Sequence, residues 1–139
     1  MIVLDTNVVS EMLRERINPR VARWLGQQAV SSLYLTATSL AELRVGVEII
    51  PAGKRKTLLA ADLDNLLGIL FRERILAFDR KAAETYSRMA ARARALGKAL
   101  PFGDGQIAAT AAVHGYAVAT RDTGPFEAAG VAVINPWEG

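Results

Sequence analysis

In Ile2-Val3-Leu4-Asp5-Thr6-Asn7 an apolar run stops abruptly at three oxygen-bearing side chains. A short, wholly apolar run suits a strand covered on both faces, and the Asp-Thr-Asn behind it supplies oxygen atoms suited to a turn and a helix start. The chain therefore passes from a buried strand into a helix, and the same order recurs downstream. Asn18-Pro19 marks a second helix start, with Val21, Ala22, Trp24 and Leu25 as its apolar face. Leu33-Tyr34-Leu35-Thr36 reads as the second strand, after which Leu40, Leu43, Val47 and Ile50 recur at helical spacing until Pro51-Ala52-Gly53. Lys54-Arg55-Lys56 opens another helix with Leu58, Leu59, Leu63, Leu66 and Leu67 on one side, so residues 39–70 form a helical hairpin.

A third strand is expected over residues 75–78, with Asp79 capping a helix that ends at Gly97. A helix from Phe102 to His114 closed by Gly115, a strand over 117–120, a short helix over 125–129 and a strand over 131–134 complete the chain. Strands separated by helices imply right-handed crossovers and a parallel sheet covered on both faces. The expected fold is α/β: a three-layer α/β/α sandwich around a mainly parallel five-stranded sheet, one domain over residues 1–139.

Its 51% hydrophobic content is enough for a sizeable core. There is no Cys, which excludes a disulfide framework and fits a reducing compartment. No basic segment precedes an apolar stretch and no apolar run approaches the ~18 residues of a membrane span, so neither a signal peptide nor a membrane is expected. A cytoplasmic location follows. The net charge is +3, and 13 of the 17 basic residues are Arg, whose planar fork suits phosphate oxygens. A polyanionic partner and an ordinary solvated helix surface both account for that charge.

Four acids, Asp5, Glu42, Asp104 and Asp122, each fall where a strand ends or a helix begins. Each has an ordinary structural explanation: Asp5 as a helix N-cap, Glu42 as partner of Ser39 in a capping box, Asp104 as a first-turn acid, Asp122 as part of an Asp-Thr-Gly turn. Taken together they point elsewhere. In an open parallel sheet ligands collect beyond the carboxyl ends of the strands, and these four can meet there. Two unit charges ~4 Å apart repel by roughly 4 kcal/mol at an effective dielectric of ~20, so such a cluster must protonate, spread or take up a cation. All-oxygen donors favour Mg²⁺ or Mn²⁺ over Zn²⁺, and with no Cys and one His a structural zinc site is excluded. Thr6 or Asn7, and likewise Thr120, are placed to hold carboxylate rotamers by hydrogen bonds.

Other chemistries are removed by single features. Phosphoaspartyl hydrolases of the haloacid dehalogenase type need Asp-x-Asp after the first strand, and position 7 is Asn. No G-x-G-x-x-G follows that strand, which excludes dinucleotide binding. His114 precedes Gly115 at a helix end and reads as a residue of the C-terminal cap.

The opening Ile-Val-Leu-Asp-Thr-Asn, the segment Ser-Leu-Ala-Glu-Leu-Arg-Val-Gly, the run from Asp104 to Ala111 and Ala-Thr-Arg-Asp-Thr-Gly at 119–124 resemble PIN-domain ribonucleases. Asn135-Pro136-Trp137 adds likeness to the VapC and FitB branch of bacterial type II toxin-antitoxin systems. The resemblance implies a Mg²⁺- or Mn²⁺-dependent endoribonuclease built on Asp5, Glu42, Asp104 and Asp122, with Thr120 and Asn7 in support, leaving 5′-phosphate and 3′-hydroxyl ends. It implies a cognate antitoxin lying over the site, operator DNA engaged through that antitoxin, and a homodimer or larger assembly. Arg121, Lys98 and Arg44 are candidates for RNA phosphates, Arg44 equally for an antitoxin carboxylate or an acid of the protein itself. Phe102, just before Asp104, either stacks on a base or packs. Two alternatives stand beside this expectation: a subunit acting mainly through a DNA-binding partner with weak nuclease activity, and a metal nuclease acting on DNA.

Overall fold

The computed structural model describes residues 1–138; Gly139, last residue of the expected domain, lies outside them. Five strands are present: β1 (Ile2–Leu4), β2 (Leu33–Thr36), β3 (Ile75–Leu76), β4 (Ala117–Ala119) and β5 (Val133–Ile134). They lie in the order β3-β2-β1-β4-β5 with every pairing parallel, so the sheet is wholly rather than mainly parallel. Seven α-helices fill the connections: α1 (Thr6–Met12), α2 (Pro19–Gly26), α3 (Ala37–Glu48), α4 (Lys54–Leu70), α5 (Arg80–Ala95), α6 (Phe102–His114) and α7 (Thr123–Ala129).

Successive strand residues face opposite sides of a sheet, and the two cores follow that parity. Leu4, Leu33, Leu35 and Ala119 join Val8, Val9, Leu43, Leu63 and Phe71 on the side of α1, α3 and α4. Val3 and Val118 join Ile107, Ala108, Ala111 and Phe126 on the side of α6 and α7, against which α5 packs. Two cores separated by one sheet make the three-layer sandwich.

Several boundaries differ from expectation, each for a local reason. β3 stops at Leu76 because its partner β2 ends at Thr36, opposite Leu76, and turns into α3 at Ala37. Val131 does not start β5, since its N–H donates to Phe126 O (3.3 Å) and closes the end of α7. β4 ends at Ala119 and Thr120 follows it, while α7 starts at Thr123 rather than Pro125. The caps at Asn18 and Asp79 are formed as read: Asn18 Oδ1 accepts from Arg20 N–H and Asp79 Oδ1 from Ala82 N–H, both at 2.9 Å. Gly115 closes α6 at φ +72°, the left-handed region that favours glycine.

The chain leaves β1 for β2 and β3 on one side, then returns to add β4 on the other. The sheet's switch point is thus the crevice between the carboxyl ends of β1 and β4. Asp5 and Asp122 lie at its two lips.

Candidate active site

Beyond those strand ends lies a cleft of about 470 Å³ whose walls include Asp5, Glu42, Asp104 and Asp122. Asp5 follows β1 directly, Glu42 stands in the second turn of α3, Asp104 in the first turn of α6, and Asp122 at the head of α7. Four elements deliver one acid each.

Hydroxyl groups orient the carboxylates. Asp5 is nearly fully buried; its Oδ1 accepts from Thr6 N–H (2.7 Å) and its Oδ2 from the Thr120 hydroxyl (2.7 Å). Thr120 Oγ1 in turn accepts from Asn7 Nδ2 (3.2 Å) and Asp122 N–H (3.1 Å). With both lone pairs occupied, its one proton has to point at Asp5. On the other wall the Thr6 hydroxyl donates to Glu42 Oε1 (2.8 Å) and, having no second proton, is the acceptor in its 3.0 Å contact with Ser39 Oγ.

Glu42 is not part of a capping box. Thr36, not Ser39, caps α3, accepting from Ser39 N–H at 3.0 Å, so the helix starts earlier and Glu42 stands a turn inside it. Asp122 occupies the N-cap position of α7 yet makes no side-chain cap bond, while Asp5 both caps α1 and faces the cleft. The first turn of α6 comes close to α3, since a Cβ at Gly103 would stand 3.5 Å from Glu42 Oε2. Behind Asp104, a Cβ at Gly105 would meet the Tyr86 ring at 2.4 Å, so only glycine lets α5 pack this tightly there. Phe102 is largely exposed and stacks on Tyr86 with ring centroids 5.1 Å apart.

Burial is the main reason the Asp5 carboxyl is pushed up to about 6; the Thr120 and Thr6 hydrogen bonds oppose this, and the charges of Asp104 and Glu42 add to it. Asp104 is likewise held above its usual range, first by burial and then by the charges of Asp122 and Glu42. Among the described residues no three acid, His or Cys side chains already stand at ion-holding distance. The donor set itself fits a hard divalent cation: it is all oxygen, and the acids raise one another's proton affinity, a repulsion such an ion relieves.

Of the basic candidates only Arg121 lines the cleft. Arg44 pairs with Asp64 of α4 at 2.7 Å, and Lys98 follows the end of α5 away from the cleft's walls. His114 stacks on Tyr116 (5.4 Å) and does not line the cleft. Two wall residues were given no site role by the sequence: Trp137, quoted there only for its family likeness and brought in from beyond β5, and Glu11, a buried acid that accepts from Asn18 N–H (3.1 Å) and pairs with Arg14 (3.2 Å).

A second, larger hollow of about 790 Å³ opens beside the cleft between α1, α3 and α4, floored by Leu13, Leu43, Val47, Leu58 and Leu59 and rimmed by Arg14, Lys54 and Arg55. Thr6, Ser10, Arg14 and Glu42 belong to both hollows.

A parallel sheet in this order, with acids from four elements at its switch point, defines a class, and the chain belongs to it: residues 2–131 match the PIN domain family. Among relatives, it is 48% identical to toxin FitB of Neisseria gonorrhoeae and 47% identical to VapC ribonuclease Y4jK of Sinorhizobium fredii, each comparison covering 99% of both chains. The crystal structure of FitAcB from Neisseria gonorrhoeae superposes with a TM-score of 0.95 at 47% identity over the full length of both chains. No helix among the described residues is long and apolar enough to cross a membrane.

Proposed function

We propose that this protein is a divalent-metal-dependent endoribonuclease, the toxin of a toxin–antitoxin pair. The observation that carries it is the meeting of Asp5, Glu42, Asp104 and Asp122 in one cleft of a chain alike over its whole length to a VapC ribonuclease and to toxin FitB. Asp5, Asp104, Glu42 and Asp122 would hold Mg²⁺ or Mn²⁺. When bound, the ion supplies positive charge for the phosphoryl oxygens and a water of lowered pKa. Thr120 and Thr6 fix the angles at which Asp5 and Glu42 present their oxygens, and Asn7 locks Thr120. Arg121 at the rim offers its donors to an RNA phosphate.

The groove between α1, α3 and α4 receives the antitoxin, whose apolar helix lies on the leucines and whose end reaches the cleft along the shared wall of Thr6 and Glu42. Operator DNA is engaged through the antitoxin, the toxin works in the cytoplasm, and it acts as a homodimer or larger assembly.

The test is cleavage of single-stranded RNA by purified protein. Activity is expected with Mg²⁺ or Mn²⁺, none in EDTA, and a loss of about 10² or more in Asp5→Asn. Full activity in a folded Asp5→Asn protein would falsify the mechanism, and equal cleavage of single-stranded DNA would replace RNA as the substrate. Growth arrest on expression without the antitoxin, abolished by Asp5→Asn, tests the toxin role.

A further inference from the structure

Arg121 is embedded among the residues of the cleft, yet its head pairs with none of the carboxylates. It lies between Thr120, which holds Asp5, and Asp122, and its backbone N–H reaches Asn7 Oδ1 at 3.4 Å. A flexible cation beside four carboxylates has an evident resting place: folded into the cleft, it would neutralise the acids and occupy the space a divalent ion needs. Among the described residues Arg121 makes no ion pair. Its guanidinium carbon stands instead 5.3 Å from the centroid of the Trp137 ring.

The indole is a fixed shelf. The backbone N–H of Trp137 donates to Asn135 Oδ1 (2.9 Å), its backbone carbonyl accepts from Arg20 Nη1 (3.2 Å), Pro136 before it is buried, and the side chain packs against the core that contains Leu4 and Val8. An aromatic face attracts a guanidinium through its π-cloud while leaving the in-plane N–H donors free for other acceptors.

We propose that Trp137 is a positioning residue that parks the Arg121 guanidinium at the rim of the cleft, off the carboxylates, so that the acids stay open to a cation and the arginine's donors stay free for a phosphate of the strand. This deepens the proposed function and rests on its reading of the cleft. Neither a purely structural Trp137 nor a purely electrostatic Arg121 predicts the coupling that follows.

The test titrates Mn²⁺ calorimetrically without RNA and measures, in EDTA, the anisotropy of a labelled single-stranded RNA oligonucleotide. Arg121→Gln alone is expected to leave Mn²⁺ affinity within about two-fold, because the guanidinium rests on Trp137 rather than on the carboxylates. Trp137→Leu frees the arginine to enter it, so Mn²⁺ affinity falls at least about 3-fold, and adding Arg121→Gln restores it. RNA affinity falls by a similar factor, about 5-fold, in either single variant and no further in the double. Trp137→Phe keeps an aromatic face and lies between wild type and Trp137→Leu in both readouts. If Trp137→Leu does not fold, Trp137→Phe and Arg121→Gln decide the matter.

Tighter Mn²⁺ binding by Arg121→Gln alone overturns the proposal, as does a Trp137→Leu defect in Mn²⁺ binding that Arg121→Gln does not repair. Wild-type protein that binds no Mn²⁺ refutes the metal site instead. The parking of Arg121 is then decided by RNA affinity: additive losses in the double variant overturn it and non-additive losses support it.

Discussion

The two hollows share a wall and little else. The cleft brings Asp5, Glu42, Asp104 and Asp122 together, the first two held by hydroxyl groups, and their charges oppose one another, whereas the neighbouring groove is floored by leucine and valine and carries charges of both signs on its rim. One surface is costly to the empty protein and calls for a cation; the other is an apolar trough that calls for a helix. What separates them is a single turn of α3, where Glu42 faces the cleft and Leu43 joins the core beneath the groove. Under the proposed function, adjacent residues of one helix would serve chemistry and inhibition.

The sharpest way to break this division is to alter one residue on each side. Asp104→Asn should cost about 10² or more in RNA cleavage. Leu58→Glu, at an exposed groove position, should leave cleavage by the free toxin intact and thermal stability within about 0.5 kcal/mol while weakening inhibition by the antitoxin. Loss of cleavage in Leu58→Glu would mean that the hollows are one functional surface.

Next in size is Thr120→Val. It removes the proton that holds Asp5 and leaves Asn7 Nδ2 and Asp122 N–H without their acceptor. A loss of about 1–3 kcal/mol in chemical denaturation is expected, with reduced cleavage. Unchanged stability would show that the hydroxyl network is incidental.

The pH dependence probes the cleft by itself, since burial there raises the pKa of Asp5 and of Asp104. Asp5 titrates at about 6 in the folded protein, above its ordinary 3.8, so the native state binds more protons than the unfolded chain between those values. Metal-free protein should therefore gain stability from this residue as pH falls from 7 towards 4, and lose it as pH rises through 6. In EDTA the melting temperature of wild type relative to Asp5→Asn should be higher at pH 5 than at pH 7.5; the reverse order would refute the burial argument. The smallest effect is expected at the Arg44–Asp64 pair, where both side chains are well exposed: Arg44→Ala should change stability by less than about 1 kcal/mol in thermal unfolding.

How much of this was legible in the chain depends on how local each feature is. The β1–Asp5 junction, the caps at Asn18 and Asp79 and the glycine stop at 115 are decided within a few residues, and they stand where the sequence puts them. Strand lengths are not local. Ala77-Phe78 is as apolar as Ile75-Leu76, yet no strand residue remains beside it once β2 has turned into α3. The start of α3 offered two caps three residues apart, Thr36 and Ser39, and the choice fell to Thr36 because the Ser39 hydroxyl is drawn to Thr6 of another helix. The four acids could be named because a strand or helix end is itself readable, and all four line the cleft. Trp137 could not, since nothing near it in sequence indicates that Arg121 comes to rest on its ring.

Thr6 carries a consequence beyond holding Glu42. It lines both hollows, and one of its contacts, to Ser39, anchors α3, which forms a side of each. Under the proposed function, an occupant of the groove that shifted this threonine would rotate a carboxylate of the cleft and so couple groove to cation. Reciprocity would then require a cation to change the affinity for the groove's occupant by the same factor, making the level of free divalent ion a dial on how firmly that occupant is held. Equal antitoxin affinity in EDTA and in saturating Mn²⁺ would show the two sites to be independent.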